Sequence, residues 1–365
     1  MENNELLVVY GAEPYDMARA LLEAAKPEDA IPAGGRVVLK PNLVVSKKAD
    51  SGATTHIEIV AAAIDHLRAH GFENLLIAEG SWVGDDTKTA FAVSGFGKLA
   101  KEKDVPLLDL KTDAYETVTS DGISMQISKT VLAADYLINF PVLKGHCQTN
   151  MTCALKNMKG CLSDRSKRMF HTLGLHRPIA ALNAARRPDL TIADNLCGDL
   201  DFEEGGNPVF SGRMIAGRDP VLLDSFGASL LGFALSDVPY IGMAESLGVG
   251  STDLTQAKIT ELNRAAPGSA PKPTRRVREL AEFVDSRDAC SACYAALIHA
   301  LSRLDERGEL DGLYVPVCNG QAFRGEELPG VGIGACCAGA EKCARGCPPD
   351  AREILRVLRE AIAEG

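Results

Sequence analysis

Short apolar runs alternate with stretches of helical spacing along the first two-thirds of the chain. The runs cover residues 6–10, 36–40, 74–78, 135–140 and 190–194, and turn-forming residues flank each of them. Continuous apolar runs of this length are typical of strands buried on both faces of a parallel sheet. The pattern therefore predicts an α/β fold with a mostly parallel sheet flanked by helices.

The segments between these runs carry helix and turn signals of their own. Residues 57–70 repeat apolar side chains at helical spacing, and Gly71 follows as a stop. The pair Asp121-Gly122, within residues 116–128, predicts a β-hairpin with a two-residue turn.

A proline-rich stretch divides the chain into two parts. Residues 266–274 contain three prolines among small residues, which favours a linker. We expect an α/β core domain over residues 1–265 and a smaller C-terminal α/β domain over residues 275–365. The expected elements of the smaller domain are a helix from residue 275, a helix over 291–307, a strand over 312–317 and a helix over 350–363.

Charge and hydropathy exclude some classes of partner. The net charge is -10, which argues against nucleic acid, because phosphate backbones are bound by many Lys and Arg residues. No apolar run reaches the roughly 20 residues that a membrane helix needs, and the polar N-terminus leads us to expect a cytoplasmic protein. Between Lys144 and Arg187, however, nine basic residues accompany one acidic residue. This basic stretch indicates either a small anionic ligand or a solvated helix face.

Eleven cysteines point to metal chemistry, since a cytoplasmic protein keeps its thiols reduced. Seven of them fall between Cys290 and Cys347. Cys290 and Cys293 form a C-x-x-C pair at a predicted helix start, and Cys347 ends the glycine-rich segment GIGACCAGAEKCARGCPP with a Cys-Pro step. Bacterial ferredoxin ligand runs end in the same way. The spacing favours one 4Fe-4S cluster over a four-thiolate zinc site, because the second half lacks another C-x-x-C knuckle.

The fourth ligand is ambiguous on sequence alone. We predict Cys290, Cys293, Cys336 and Cys347 as ligands, with Cys337 as the alternative to Cys336. Adjacent cysteines project differently, so only one of the two is expected to bind iron. Cys343 is left as a free thiol, and Cys318 is expected in the core.

Polar residues gather where two predicted strands end. Lys40 and Asn42 follow the strand over 36–40, and the segment after the strand over 135–140 carries a larger polar group. The carboxyl ends of parallel strands are where α/β folds bind ligands. We predict catalytic roles for His146, Lys156 and Lys40, and substrate-binding roles for Asn42, Lys144, Asn157, His171 and His176. The alternative is that these groups cap helices or line a solvated edge.

Three further groups have a structural interpretation first. Thr54 and Thr55 precede the helix over 57–70 and are expected to cap it. Asp194 follows an apolar strand and could orient a base or cap a turn. Asp219, which precedes a proline, is expected to begin a helix.

Ordered motifs give the chain a family resemblance. They are LKPNLV (39–44), GATTHIEIV (52–60), LKGHCQTNMTCALKNMKG (143–160), HRPIAALN with PDLTIAD (176–194), AGRDPVLLD (216–224) and the C-x-x-C with GCPP. The chain resembles the family catalogued as domain of unknown function 362. Members that resemble it are regarded as iron-sulfur proteins of anaerobic or redox metabolism, without a settled reaction. The doubled Cys336-Cys337 departs from the simplest pattern.

Three functions are compatible with these features. The first is a redox enzyme, an oxidoreductase that passes electrons from the cluster to a small anionic substrate or second cofactor held near His146, Lys156 and Lys40. The second is an electron-transfer carrier that docks to a redox partner protein through the basic stretch. The third is a non-redox lyase or isomerase with a structural or Lewis-acid cluster. A homodimer is left open, and no dinucleotide or NTP motif is present.

Overall fold

The computed structural model describes residues 1–264 and 276–364, and the predicted linker over 266–274 lies outside the described residues. The described residues divide into two compact units. The first comprises residues 1–168 and 176–264, and the second comprises residues 169–175 and 276–364. No helix within the described ranges combines the length and apolar character needed to cross a membrane.

Among the described residues, the first unit has twelve strands, eight of which form its central sheet, and ten helices, one of which (α7) continues into the second unit. The strands are β1 (Glu5–Tyr10), β2 (Val37–Pro41), β3 (Leu75–Glu79), β4 (Leu107–Asp109), β5 (Tyr115–Ser120), β6 (Ile123–Ser128), β7 (Tyr136–Phe140), β8 (Lys144–His146), β9 (Asn150–Thr152), β10 (Leu190–Asp199), β11 (Pro208–Gly217) and β12 (Lys258–Glu261). The helices are α1 (Pro14–Ala25), α2 (Ile57–Ala69), α3 (Thr87–Val93), α4 (Phe96–Glu102), α5 (Lys129–Leu132), α6 (Ala154–Asn157), α7 (Asp164–Thr172), α8 (His176–Ala185), α9 (Pro220–Leu230) and α10 (Pro239–Ser246).

The strand order β12-β1-β11-β10-β7-β2-β3-β4 confirms the predicted α/β class. Every neighbouring pair is parallel except those made by β11, which is antiparallel to both β1 and β10. All five predicted strands of this unit are present. The sequence did not indicate β4, β11 or β12.

Alternation along β2 shows how the sheet separates a core face from a site face. Val37 and Leu39 pack into a cluster with apolar residues of α1, α2, α3 and α4. Side chains alternate along a strand, so Val38 and Lys40 point to the opposite face. A buried lysine at the end of such a strand needs polar partners from the elements that cover that face.

Two local predictions are confirmed in this unit. β5 and β6 form the expected hairpin, with Asp121 at φ 47° and Gly122 at φ 71° as a two-residue turn needs. Asp219 begins α9 and accepts hydrogen bonds from the backbone N–H groups of Val221 at 2.8 Å and Leu222 at 3.0 Å.

The second unit is the smaller C-terminal α/β part, and its sheet is parallel throughout. The order is β13-β14-β15-β16, formed by β13 (Val284–Ser286), β14 (Val317–Asn319), β15 (Leu328–Ile333) and β16 (Ala340–Ala344). Its helices are α11 (Arg276–Ala281), α12 (Ser291–Asp305) and α13 (Ala351–Glu364). Together with the first unit, this confirms the predicted fold class.

The predicted strand over residues 312–317 is wrong. Residues 310–312 form a 3-10 turn, and the strand begins only at Val317. Pro316 lacks the N–H that a ladder would need, and Tyr314 is 79% exposed rather than packed. The apolar residues before Val317 therefore belong to a surface loop. Cys318 is buried in the core, as predicted.

Candidate functional site

The polar segment after β7 folds into a short hairpin and one helical turn. β8 pairs with β9 in antiparallel register, with Lys144 opposite Thr152 and His146 opposite Asn150. Residues 150–152 form the strand β9, and the helical turn α6 begins at Ala154. Four predicted site residues are nearly or fully buried in this segment: Lys144, His146, Lys156 and Asn157.

Three amides and one lysine form a continuous chain of hydrogen bonds beneath this segment. Lys144 Nζ donates to Asn42 Oδ1 at 2.9 Å, and Asn42 Nδ2 donates to Asn157 Oδ1 at 2.7 Å. Asn157 Nδ2 in turn donates to Asn139 Oδ1 at 2.7 Å. An ammonium can only donate, so Lys144 fixes the direction of every bond in the chain. The structure thus brings three predicted substrate-binding residues together and adds Asn139.

His146 and Lys156 meet at a carboxylate that the sequence did not indicate, Glu203. Lys156 Nζ is hydrogen-bonded to Glu203 Oε2, and His146 Nε2 lies 3.2 Å from Glu203 Oε1. His146 Nδ1 accepts from the backbone N–H groups of Gln148 and Thr149 at 3.1 and 3.0 Å, so its proton sits on Nε2. Both ring nitrogens are engaged, so His146 donates to Glu203 and has no lone pair left to accept a proton.

Electrostatics at this carboxylate are set by burial and by its two partners. Burial by itself raises the pKa of Glu203, but Lys156 and His146 outweigh it and hold the pKa well below its usual range. Burial lowers the pKa of His146, and the charge on Lys156 lowers it further. Glu203 is therefore a carboxylate facing a neutral imidazole and an ammonium.

Lys40, the third predicted catalytic residue, forms a buried ion pair. Its Nζ lies 2.7 Å from Glu79 Oε2, and the two side chains are 0% and 3% exposed. Gly160 packs against this pair, where a Cβ atom would lie 2.0 Å from Glu79 Oε1 and 2.8 Å from Lys40 Nζ. Only glycine fits at position 160, because any side chain would separate or displace the two charges.

Further buried lysines make the same edge of the sheet strongly basic. Lys167 Nζ donates to the carbonyls of Gly80 at 2.9 Å and Ser81 at 2.8 Å, just beyond β3. Burial lowers the pKa of Lys144 and of Lys159 to about 7, and that of Lys167 to about 8. Packed ammonium groups and amides suit a carboxylate or phosphate.

Thr55 and His56 hold the strand ends in place. Thr55 Oγ1 accepts from Asn42 N–H at 2.8 Å and donates to the Phe140 carbonyl at 2.7 Å, so it joins β2 to β7. The prediction that Thr55 caps the following helix is therefore wrong. Asp194 Oδ2 accepts from the His56 backbone N–H at 2.9 Å and lies 2.7 Å from His56 Nδ1. Burial lowers the pKa of His56, but Asp194 outweighs burial and leaves the pKa raised.

The two remaining histidines among the predicted site residues belong to different units. His176 begins α8 in the first unit, and His171 lies in the part of α7 that belongs to the second unit. The His176 ring stacks on Tyr240 with a centroid distance of 6.0 Å, and burial lowers the pKa of His176. Its Nδ1 is buried without a hydrogen-bond partner among the described residues. His176 is thus placed by packing on Tyr240, whereas hydrogen bonds join Asn42, Lys144 and Asn157, and Glu203 joins His146 to Lys156.

Four cysteine thiols of the second unit lie close enough to influence one another. Cys290 precedes α12, and Cys293 lies in its first turn. A hydrogen bond to Cys290 raises the pKa of the Cys293 thiol, and burial together with negative charge on Cys290, Cys347 and Cys336 raises it further. The same hydrogen bond lowers the pKa of Cys290 to about 6. Thiolates gathered in this way repel one another unless a cation lies between them.

Cys336 and Cys337 point to different surroundings. Cys336 Sγ accepts from Arg324 Nη2 at 3.3 Å and interacts electrostatically with Cys293. Cys337 is fully buried, packs with Cys318 and Phe323, and its thiol donates to the Gly320 carbonyl at 3.8 Å. Cys336 thus lies within electrostatic reach of Cys293, whereas Cys337 faces the core.

Glycines let the loop before Cys347 approach the other thiols. Gly334 has φ 96°, and a Cβ atom there would lie 3.4 Å from Cys293 Sγ. The backbone N–H of Ala335 donates to the Gly346 carbonyl at 2.8 Å, which closes the loop. Cys343 takes no part in the group, since its thiol donates to the Gly334 carbonyl at 3.7 Å. The donor set is soft and glycine-lined, which fits an iron-sulfur cluster.

Fold and site define the first unit as an α/β protein with a basic, amide-lined cluster at the carboxyl ends of its strands. The chain belongs to the family described as Domain of unknown function (DUF362), whose model matches residues 37–229, more than half of its length. The matched range includes the lysine and asparagine cluster and ends before the clustered cysteines.

Two known proteins show more distant similarity. A thylakoid-associated protein of Synechocystis sp. is 26% identical over 235 residues, which cover 60% of this chain and 70% of that protein. The lactate racemase apoprotein of Thermoanaerobacterium thermosaccharolyticum is similar in structure, with 13% identity and a TM-score of 0.43. That match covers 64% of this chain and 57% of the racemase, so this chain spans little more than half of it.

The sequence analysis did not identify three polar members of the cluster, Glu79, Asn139 and Glu203. Glu79 and Asn139 lie at or next to the last residue of a buried strand, the same signal that identified Lys40. Applying that signal to every strand would have found both. Glu203 lies in the loop between β10 and β11, and no local pattern marks it.

Proposed function

We propose that this chain is an iron-sulfur protein that binds one 4Fe-4S cluster through Cys290, Cys293, Cys336 and Cys347. The observation that supports the proposal is that Cys290, Cys347 and Cys336 all act electrostatically on Cys293, two of the four thiols coming from the start of α12 and two from the glycine-rich loop. Gly334 lies beside Cys293, where a Cβ atom would be 3.4 Å from Sγ, and the cysteine spacing favours an iron-sulfur cluster over a single zinc ion.

We further propose that the chain is a redox enzyme acting on a small anionic substrate or second cofactor. When bound, the cluster would supply single electrons. Lys144, Asn42 and Asn157 would hold a carboxylate or phosphate by charge-assisted hydrogen bonds. His146 Nε2–H, 3.2 Å from Glu203 Oε1, and Lys156 would hold this carboxylate ionised and oriented beside the substrate.

Burial of three lysines of the basic stretch supports this enzyme over an electron carrier, although Arg165, Arg168, Arg177 and Arg187 of the same stretch are exposed. A docking face must be exposed to meet its partner, whereas Lys144, Lys156 and Lys167 are 0%, 4% and 4% exposed. Their charges are directed at Asn42, Glu203 and backbone carbonyls within the first unit. Such inward-facing charge serves a small ligand better than a protein surface.

The cluster itself is tested by anaerobic purification. The protein should be brown, contain about four irons and four sulfides per chain, and give an electron paramagnetic resonance signal after reduction. Iron, acid-labile sulfide and zinc should be measured on the same sample. A colourless protein with one zinc and no sulfide would overturn the proposal.

Anion binding at the lysine cluster should weaken as the pH rises. Lys144 and Lys159 have pKa values lowered to about 7 by burial, so each is charged below that pH and neutral above it. The affinity for sulfate, whose charge is constant over this range, should fall up to about tenfold per pH unit above pH 7. Isothermal titration calorimetry between pH 6 and 9 measures it.

The matched variants are Lys159→Met and Lys98→Met. Lys159→Met should weaken sulfate binding at pH 6 and flatten the pH profile. Lys98 is exposed on α4, so the Lys98→Met variant should show the same pH profile of sulfate binding as the parent protein. Equal profiles in all three proteins would show that the anion binds elsewhere.

Arg324 should raise the reduction potential of the proposed cluster. Its guanidinium donates to Cys336 Sγ, and a cationic donor stabilises the reduced cluster, which carries more negative charge. Arg324→Leu should lower the midpoint potential by roughly tens of millivolts, while Arg324→Lys recovers part of it. Redox titration followed by electron paramagnetic resonance measures the shift. Arg307→Leu, at the end of α12, serves as the control and should not change the potential.

A further inference from the structure

Two histidines and a glutamate meet at the C-terminal end of α2. His66 and the next-turn residue His70 lie four positions apart and face Glu28, in the 3-10 turn after α1. Glu28 Oε2 lies 2.8 Å from His66 Nε2, and Glu28 Oε1 lies 3.6 Å from His70 Nε2. The three potential ligand atoms all lie within 4.8 Å of one another.

The protonation of His70 follows from its backbone partner. His70 Nδ1 lies 2.7 Å from the His66 carbonyl oxygen, which can only accept, so Nδ1 carries a proton. The neutral ring therefore has a lone pair on Nε2, and that lone pair faces the Glu28 carboxylate. Two acceptors 3.6 Å apart repel each other unless a proton or a metal ion lies between them.

The distances from the two imidazole nitrogens to the two Glu28 oxygens bracket those of a tetrahedral metal site. Bonds of about 2.0–2.1 Å to nitrogen and oxygen place ligand atoms about 3.3–3.4 Å apart, and the observed 2.8 and 3.6 Å lie on either side of this value. A carbonyl bound to the other ring nitrogen is the usual support for a histidine ligand. The carbonyl end of a helix also favours a cation.

The geometry points to a zinc site formed by Glu28, His66 and His70, with a water molecule as the fourth ligand. His66 is 6% exposed and Glu28 is 18% exposed, whereas His70 is 42% exposed and leaves the fourth position open to solvent. Binding would replace the proton between His66 Nε2 and Glu28 by the metal, so zinc uptake would release protons.

This site lies near the amino ends of the strands, whereas the lysine cluster lies at their carboxyl ends. α2 ends where the chain turns into the beginning of β3, whereas Lys40 and Glu79 mark the carboxyl ends of β2 and β3. The zinc ion would join the turn after α1 to the end of α2 and stabilise the first unit. It is independent of the proposed iron-sulfur cluster, which belongs to the second unit.

Zinc titration of the full chain, anaerobic and with any iron-sulfur cluster retained, tests the inference. Calorimetry should show one zinc site per chain, and zinc should raise the melting temperature. His70→Gln and Glu28→Gln should each weaken zinc binding by at least about 100-fold, because each removes one of three ligands. Glu58→Gln, on an exposed position of the same helix, should bind zinc as the parent does.

Zinc-edge X-ray absorption separates this site from the cysteines. Nitrogen and oxygen neighbours at about 2.0–2.1 Å, without sulfur at about 2.3 Å, would support it. Sulfur neighbours, or unchanged zinc affinity in both His70→Gln and Glu28→Gln, would overturn it. These variants lie outside the cysteine group, so cluster content can be scored separately, and loss of one site leaves the other intact.

Discussion

Replacing Glu79 by glutamine is expected to lower the free energy of unfolding of the first unit by about 3–5 kcal/mol. The change leaves Lys40, which is fully buried, without its carboxylate. A buried ammonium that loses its counter-charge must either stay desolvated or give up its proton, and both are costly. Urea unfolding followed by fluorescence measures this unit, because the chain's single tryptophan, Trp82, lies within it.

Two comparisons isolate the buried pair. Glu23→Gln removes a carboxylate from the pair with Arg19, whose side chains are 56% and 53% exposed, and should cost less than about 1 kcal/mol. The double variant Lys40→Met with Glu79→Gln should recover part of the loss, since no charge is then stranded. An equally small loss for Glu79→Gln and Glu23→Gln would contradict the buried ion pair.

Changing Cys347 to serine is expected to abolish the proposed iron-sulfur cluster. Iron should fall from about four per chain to near zero, because three thiolates no longer close the ligand set and serine is a much weaker ligand for iron in this setting. Cys293→Ser should have the same effect. Iron and sulfide analysis with visible spectra, on protein purified without oxygen, measures it.

Cys336 and Cys337 provide a control within two residues of sequence. Cys336→Ser should lose the cluster, whereas Cys337→Ser should keep it and lose only core packing against Cys318 and Phe323. Cys343→Ser should also keep a full cluster, since that thiol is bonded to the Gly334 carbonyl. A cluster that survives Cys336→Ser and is lost in Cys337→Ser would reverse the ligand assignment.

The sheet of the first unit was largely predictable, because buried parallel strands must be apolar on both faces. The runs that became β2 and β3 are apolar between their ends, β7 has a single polar residue, Asn139, next to its last position, and turn residues bound all three. β11 escaped prediction, since its first half, from Pro208, is half exposed and reads as a loop. The prediction of a strand over residues 312–317 was wrong because an apolar sequence does not show whether its side chains are buried. Tyr314 points to solvent.

The position of the candidate site could be predicted from the sequence, but the carboxylate partners of its lysines could not. Lys40, Asn42 and the segment from Lys144 to Asn157 were identified by their place after strands, where parallel sheets gather ligand groups. Their partners could not be identified in this way. Glu79 lies 39 positions from Lys40, and Glu203 lies 47 positions from Lys156.

The sequence by itself determined the α/β class and the strand-end location of the polar cluster, and it predicted which cysteines would bind metal. These depend on local periodicity and residue chemistry, which are written in order along the chain. Only the tertiary structure decided which carboxylate neutralises which lysine, that Cys336 and not Cys337 faces the other thiols, and that Glu28 meets two histidines of α2. The reason is physical: pairing and pKa depend on distance and burial, which folding sets between residues far apart in sequence.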